Sequence, residues 1–451
     1  MSGLTRKREL MLLAVLVALL LFVLSVIAFG DSAEYRADRL SDGEIEEICD
    51  DDQYGCVEYG IGDTVQLGGL LWVGDSEEQV GVDSQRGVEL AVDYLDAQFD
   101  GIPGQVLGHT VEVVIADDGC SPEQGRAGAK NLADTRGLIG VVGTTCSGSA
   151  LGAADKVLSS RGILLISPSN TAPELTEPFV GQRFYARTAP NDLIQGSVVA
   201  DFARARDRAN TAVVLHDGTP YSRSLAEVFA GRFEFLGGDA DVRKIPGPSP
   251  KQVKKSVDSA TSESPDILYF PIIPPYCELI VRELAELPGG KTEALTSDGC
   301  QSSEMLELSN NLGVEVLASG PDLSRVQTNS FYADQFLSGY RKRYGTSPTA
   351  PFHPQAFDAA NLILDSMRRV AIPGRGGTLW VPRTALRNAL REIDGYDGIS
   401  GTIECRPTGD CAQSALIAVF KSPDWPVDGG PKDPNPVYSQ SKTLSEVQSS
   451  S

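Results

Sequence analysis

The chain predicts an α/β fold: two doubly wound parallel-sheet lobes joined by a hinge, behind an N-terminal transmembrane helix. Three observations carry this. Short apolar runs alternate with helix-like segments along most of the sequence, the pattern of parallel sheets with helices on both faces. The alternation falls into two series, one before and one after about residue 190. Several runs, 138–142 and 163–167 among them, are apolar throughout, as strands buried on both faces are. A length of 451 residues accommodates two domains with additional segments.

At the start, Arg6, Lys7 and Arg8 precede an uncharged apolar run, 10–30. About 20 such residues span a bilayer as a helix. The basic flank, 1–9, stays in the cytoplasm, so everything from Asp31 is exported. Ala28 and Gly30 also permit cleavage after Gly30 as a signal segment, but the length of the run favours an anchor. Residues 31–63 are acidic and poor in apolar side chains, and read as a stalk.

The first series begins with the strand VQLGGLL from Val65. Val88, Ala91, Val92 and Leu95 then recur at helical spacing. A strand is expected at 111–116. Ser121, Pro122 and Gln124 mark a helix start, with a capping serine, a proline in the first turn and glutamine three residues on. The next stretch organises the chain: strand 138–142, a turn of small polar residues, helix 150–160, strand 163–167 and a second polar turn, 168–171. In open parallel sheets ligands collect beyond the carboxyl ends of the strands. The two turns supply Ser147, Ser149, Ser169, Asn170 and Thr171 there. Hydroxyls and amide hydrogens at a helix start suit a carboxylate or other small anion.

The second series places strands at 211–216, 266–273, 293–297 and 314–319, with helices at 193–205, 222–236, 251–260 and 277–287. Helices then dominate at 330–344, 356–370 and 383–393, before a β-like stretch at 398–420. From Ser422 the chain is rich in Pro, Ser, Asp and Lys, and reads as a disordered tail, 422–451.

A net charge of −22 without a basic cluster beyond the first residues argues against a nucleic-acid partner. Eight cysteines in an exported chain read as disulfides. They fall as near neighbours, Cys49 and Cys56, Cys120 and Cys146, Cys277 and Cys300, Cys405 and Cys411; sequential pairing is one hypothesis among the possible connectivities. No C-x-x-C pair occurs and His109, His216 and His353 are scattered, so no metal site is expected. Nor is there a G-x-S-x-G elbow or a G-x-G-x-x-G loop, so neither an enzyme nor a cofactor is expected.

Four strings in order resemble one family. They are CSGSALGAADKVLSSRGILLISPSNTAPELT at 146–176, FYARTAPNDLIQG at 184–196, VVLHDGTPYSRSLA at 213–226 and GTIECRPTGD at 401–410. They are similar to the type I periplasmic solute-binding proteins of the leucine/isoleucine/valine class, the receptors of branched-chain amino-acid ABC transporters. The resemblance covers roughly 64–422 and implies that family's fold, with three hinge crossings and a ligand in the cleft between lobes. The implied lobes are 64–190 with 322–398, and 191–321 with 399–421. Cys120 and Cys146 stand where the family often carries a disulfide. The resemblance also implies a site. Ser147 and Thr171, with amide hydrogens around Ser169, would hold a ligand carboxylate; Asp298 and Tyr221 would hold its ammonium; Asp192 sits at the first crossing. Ile273 replaces a tyrosine common in the amino-acid binders, and Val80 an aromatic residue, which puts branched-chain specificity in question. The expected function is capture of an amino acid or related small molecule for an ABC permease, with the membrane as a second partner through the N-terminal helix. A tethered sensing module and a receptor for an amide, urea or organic acid are the alternatives.

Overall fold

A computed structural model describes residues 40–74, 80–177, 184–205, 208–287, 291–323, 326, 329–422 and 436–449. The predicted membrane segment, 10–30, lies outside them. Among the described residues no helix is long and apolar enough to cross a membrane.

The first lobe is built on a six-stranded sheet. Its strands are β1 (Val65–Leu71), β2 (Gln105–Val106), β3 (His109–Asp117), β4 (Leu138–Gly143), β5 (Leu164–Ser167) and β6 (Tyr185–Arg187), in the order β2-β3-β1-β4-β5-β6. The β2–β3 hairpin is antiparallel and the other pairings are parallel. Every residue of β4 is buried, because helices cover both faces. One face packs Val88, Ile363 and Leu364; the other packs Ala129, Leu132 and Leu158. Helix His353–Val370 comes from late in the chain to lie against helix Val80–Asp93.

The second lobe has seven strands: β7 (Thr211–His216), β8 (Asp239–Lys244), β9 (Ile267–Phe270), β10 (Glu293–Thr296), β11 (Val316–Pro321), β12 (Ser414–Lys421) and β13 (Tyr438–Thr443). Their order is β13-β12-β11-β10-β9-β7-β8. The first five are parallel, and β12 and β13 add an antiparallel edge. The chain passes between the lobes after β6, after β11 and just before β12.

Three expectations differ from the structure. The expected stalk contains helix Asp42–Asp51, capped reciprocally by Ser41 and Glu44, and strand Cys56–Tyr59, paired antiparallel with Leu379–Pro382. Its exposed acidic face hides a few buried residues, Ile45, Val57 and Tyr59, of which Val57 and Tyr59 join the first lobe's core. The expected disordered tail supplies β13 and helix Leu444–Ser449; Leu444 and Val447 pack with Ile194, Val198 and Ile417. An edge strand as polar as YSQSKT takes its stability from the ladder it joins, so its own composition does not announce it. The third crossing comes later than expected. Ile399, Ile403, Cys405 and Cys411 belong to the first lobe's core, so 399–411 stays with that lobe.

All four near-neighbour cysteine pairs are disulfides: Cys49–Cys56, Cys120–Cys146, Cys277–Cys300 and Cys405–Cys411. Gly143 ends β4 with φ 143°, and a Cβ there would lie 2.0 Å from the Leu70 carbonyl oxygen of the neighbouring strand. Gly143→Ala is therefore expected to cost about 1–3 kcal/mol in denaturant unfolding. A midpoint equal to wild type would contradict the required close approach.

Candidate functional site

Parallel strands end together, so the loops after them share one edge of each sheet. The two edges face one another across a cavity of about 170 Å3. Trp72 follows β1, Cys120 and Pro122 follow β3, Thr145 to Gly148 follow β4, and Ser169 follows β5. Opposite them stand Thr219 to Tyr221 after β7, Ile273 and Pro274 after β9, and Asp298 and Gly299 after β10. Val80, Glu278, Ser302, Glu304 and Phe352 complete the lining. The volume is below the ~300–1,000 Å3 of pockets for drug-sized ligands, so the space suits a small molecule.

On the first-lobe side, a buried network holds the two polar turns in register. Asn170 Nδ2 donates to the Thr144 and Thr145 carbonyls at 2.9 and 3.0 Å. Ser167 Oγ donates to Thr144 O and Ser169 Oγ to Thr145 O. The amide hydrogens of Ser169 and Asn170 turn inward to Ser167 Oγ. They are thus engaged within the turn, whereas the sequence expectation had them facing a carboxylate. Ser147 Oγ accepts Ala172 N–H at 3.4 Å, which leaves its own proton available to the cavity. Beneath the Cys120–Cys146 disulfide, Asp118 accepts Cys120 N–H at 2.8 Å and Thr145 N–H at 2.6 Å. Burial pushes its carboxyl up to about 7, against the pull of those amides.

On the second-lobe side, Asp298 is 3% exposed. Its Oδ1 takes both side-chain hydrogen bonds, Gln195 Nε2 at 2.5 Å and Tyr221 OH at 3.1 Å. Tyr221 OH also accepts Gly299 N–H and lies 2.7 Å from Ser297 Oγ. Burial raises the Asp298 carboxyl to about 6, with Gln195 and Tyr221 opposing the rise. No cation pairs with Asp298 among the described residues.

Of the residues expected from the sequence, Ser147, Ser169, Tyr221 and Asp298 line the one cavity, as do Val80 and Ile273. Thr171 does not. It is buried at the first crossing, where its carbonyl accepts Asp192 N–H at 2.9 Å. Asp192 opens helix Asp192–Ala205, and burial, then the charge of Asp298, holds its carboxyl well above the usual range. Asp118, Gln195, Trp72 and Glu278 were not singled out by sequence reasoning, whereas Asn170, expected in the second polar turn, does not line the cavity and instead bonds the Thr144 and Thr145 carbonyls. Gln195 lies inside one of the four family-like strings, which was the one available signal.

Raised carboxyl pKa values have a definite effect on stability. Asp118 holds its proton up to about pH 7 when folded but releases it near 3.8 when unfolded. Between those values the folded state binds more protons, so stability falls as pH rises. Acidification from about pH 7 to pH 5 should raise the melting temperature, and Asp118→Asn should remove part of that rise. An identical pH profile in the variant would refute this assignment.

Comparison with known proteins agrees with the geometry. A family model described as periplasmic binding protein matches residues 64–421. The Leu/Ile/Val-binding protein BraC3 of Rhizobium johnstonii is 27% identical over 251 residues, covering 55% of this chain and 66% of that relative, just under two thirds of its length. The leucine-binding protein LivK of Thermotoga maritima superposes with a TM-score of 0.69 at 22% identity, over 85% of this chain and 100% of that one. A solute-binding protein of an ABC transporter from Rhodopseudomonas palustris, in complex with 3,4-dihydroxybenzoic acid, superposes with a TM-score of 0.63 at 17% identity, over 79% of this chain and 93% of that one. The chain belongs to the periplasmic binding protein family.

Proposed function

We propose that the protein captures an α-amino acid, or a close zwitterionic relative, outside the cytoplasm and delivers it to an ABC permease. The observation that carries this is the pairing of opposite chemistries across one cavity: the uncommitted hydroxyl proton of Ser147 from the first lobe, and from the second a buried carboxylate, Asp298, with no cation partner among the described residues. Ser147 Oγ–H donates to the ligand carboxylate. Asp298 Oδ2, which neither Gln195 nor Tyr221 engages, accepts the ligand ammonium. A ligand held by both lobes favours their closure, because its contacts are complete only when the lobes meet. Four disulfides fit an oxidising compartment. Tethering to the membrane rests on the apolar run at 10–30. A sensing role for a tethered receptor would use the same cavity.

Titration calorimetry of the full-length chain against the amino acids tests this reading. Binding should be strongest above pH 6, where Asp298 is ionised, and Kd should rise by up to about tenfold per unit below it. Saturable binding of benzoate-type acids with no response to amino acids would replace the zwitterion by a plain organic acid.

A further inference from the structure

The ligand-binding cavity carries more negative charge than a zwitterion needs. Three carboxylates line it, Asp298, Glu278 and Glu304, and no Lys, Arg or His does among the described residues. Glu278 and Glu304 stand in the first turns of two different helices, Tyr276–Glu286 and Ser303–Leu312. A helix N-terminus tolerates an acidic residue well, which accounts for the exposed Glu304. It does not account for Glu278, whose Oε2 is buried without a hydrogen-bond partner. Burial raises the Glu278 carboxyl and a hydrogen bond from its own backbone N–H opposes the rise; Glu304 then raises it further, so the two acids act on each other, while Arg282, one turn along, lowers it but does not line the cavity. The disulfide Cys277–Cys300 ties the first turn of the helix that carries Glu278 to the short helical turn that carries Asp298, and so holds the acids at a set spacing. The apolar surface of Trp72, Ile273 and Pro274 in the same lining suits a run of methylene groups.

We infer that the substrate class is the cationic α-amino acids, with Glu278, assisted by Glu304, receiving the distal ammonium or guanidinium of the ligand. This rests on the amino-acid reading above and goes beyond it. Asp298 sets the amino-acid class and Glu278 sets the side chain. A neutral aliphatic side chain would leave the buried Glu278 oxygen unpaired, and that discriminates against it.

The test is calorimetry on the full-length chain with L-lysine, L-arginine and L-norleucine, the last having the lysine chain without its charge. Lysine or arginine should bind at least about tenfold more tightly than norleucine. Glu278→Gln should lower that preference by about tenfold, chiefly through weaker binding of the cationic amino acids. Tighter binding of norleucine than of either cationic amino acid would overturn the inference while leaving the receptor reading intact. So would a preference that survives both E278Q and E304Q in folded protein. Failure of every amino acid to bind wild type would remove both.

Discussion

Asp298→Asn is expected to abolish amino-acid binding. The substitution keeps the shape of the side chain and an oxygen for Gln195 and Tyr221. It removes the negative charge and turns an N–H donor toward the ligand ammonium, which is itself a donor. Removing one partner of a buried charge pair costs about 2–5 kcal/mol, or roughly 30-fold to several thousand-fold in Kd. Stability should move the other way. Asp298 is fully buried and costs free energy when ionised, so the Asn variant should melt at or above the wild-type temperature near pH 7.5. Lost binding with retained stability separates a ligand contact from a structural residue. Unchanged affinity in calorimetry would remove the zwitterion assignment.

Arg187→Ala is expected to produce the largest loss of stability, about 3–5 kcal/mol. Arg187 is 0% exposed, at the end of β6 just before the first crossing. Its Nε lies 2.6 Å from Asp410 Oδ1, in the turn closed by Cys405–Cys411 before the third crossing. The same guanidinium reaches the Asn170 and Ala172 carbonyls and Thr176 Oγ1. One side chain thus joins a ligand-side turn, the segment after it and the last hinge segment. Alanine would leave Asp410 buried without a cation and two carbonyls without a donor. Asp410→Asn should recover part of the loss when combined with Arg187→Ala, because it removes the uncompensated charge. Urea unfolding of the single and double variants checks both statements. A loss under about 1 kcal/mol for Arg187→Ala would show that the pair contributes little.

Both residues lie in the family-like strings, at 184–196 and 401–410, yet their pairing was not evident there. A string reports residue identity; it does not report a partner 223 positions away. Gln195 and Asp118 escaped notice for the same reason. Each acts on a loop distant in sequence, Gln195 on Asp298 and Asp118 on Thr145.

Local information sufficed for the architecture. Apolar runs and helical spacing report burial within an element, so the two series of strands and helices, and the polar turns at their carboxyl ends, were legible directly. Cysteine proximity in sequence matched the observed pairing, with separations of 6 to 26 residues within each pair. The tertiary structure alone decided which turns face one another and which stay inside: Ser147, Ser169, Tyr221 and Asp298 at the cavity, Thr171 at the crossing, the Ser169 amide turned inward. It also decided that 40–63 and 436–449 belong to the lobes. Those outcomes depend on contacts between elements far apart in the chain, whose free energy exists only once both are folded, and no local period encodes them.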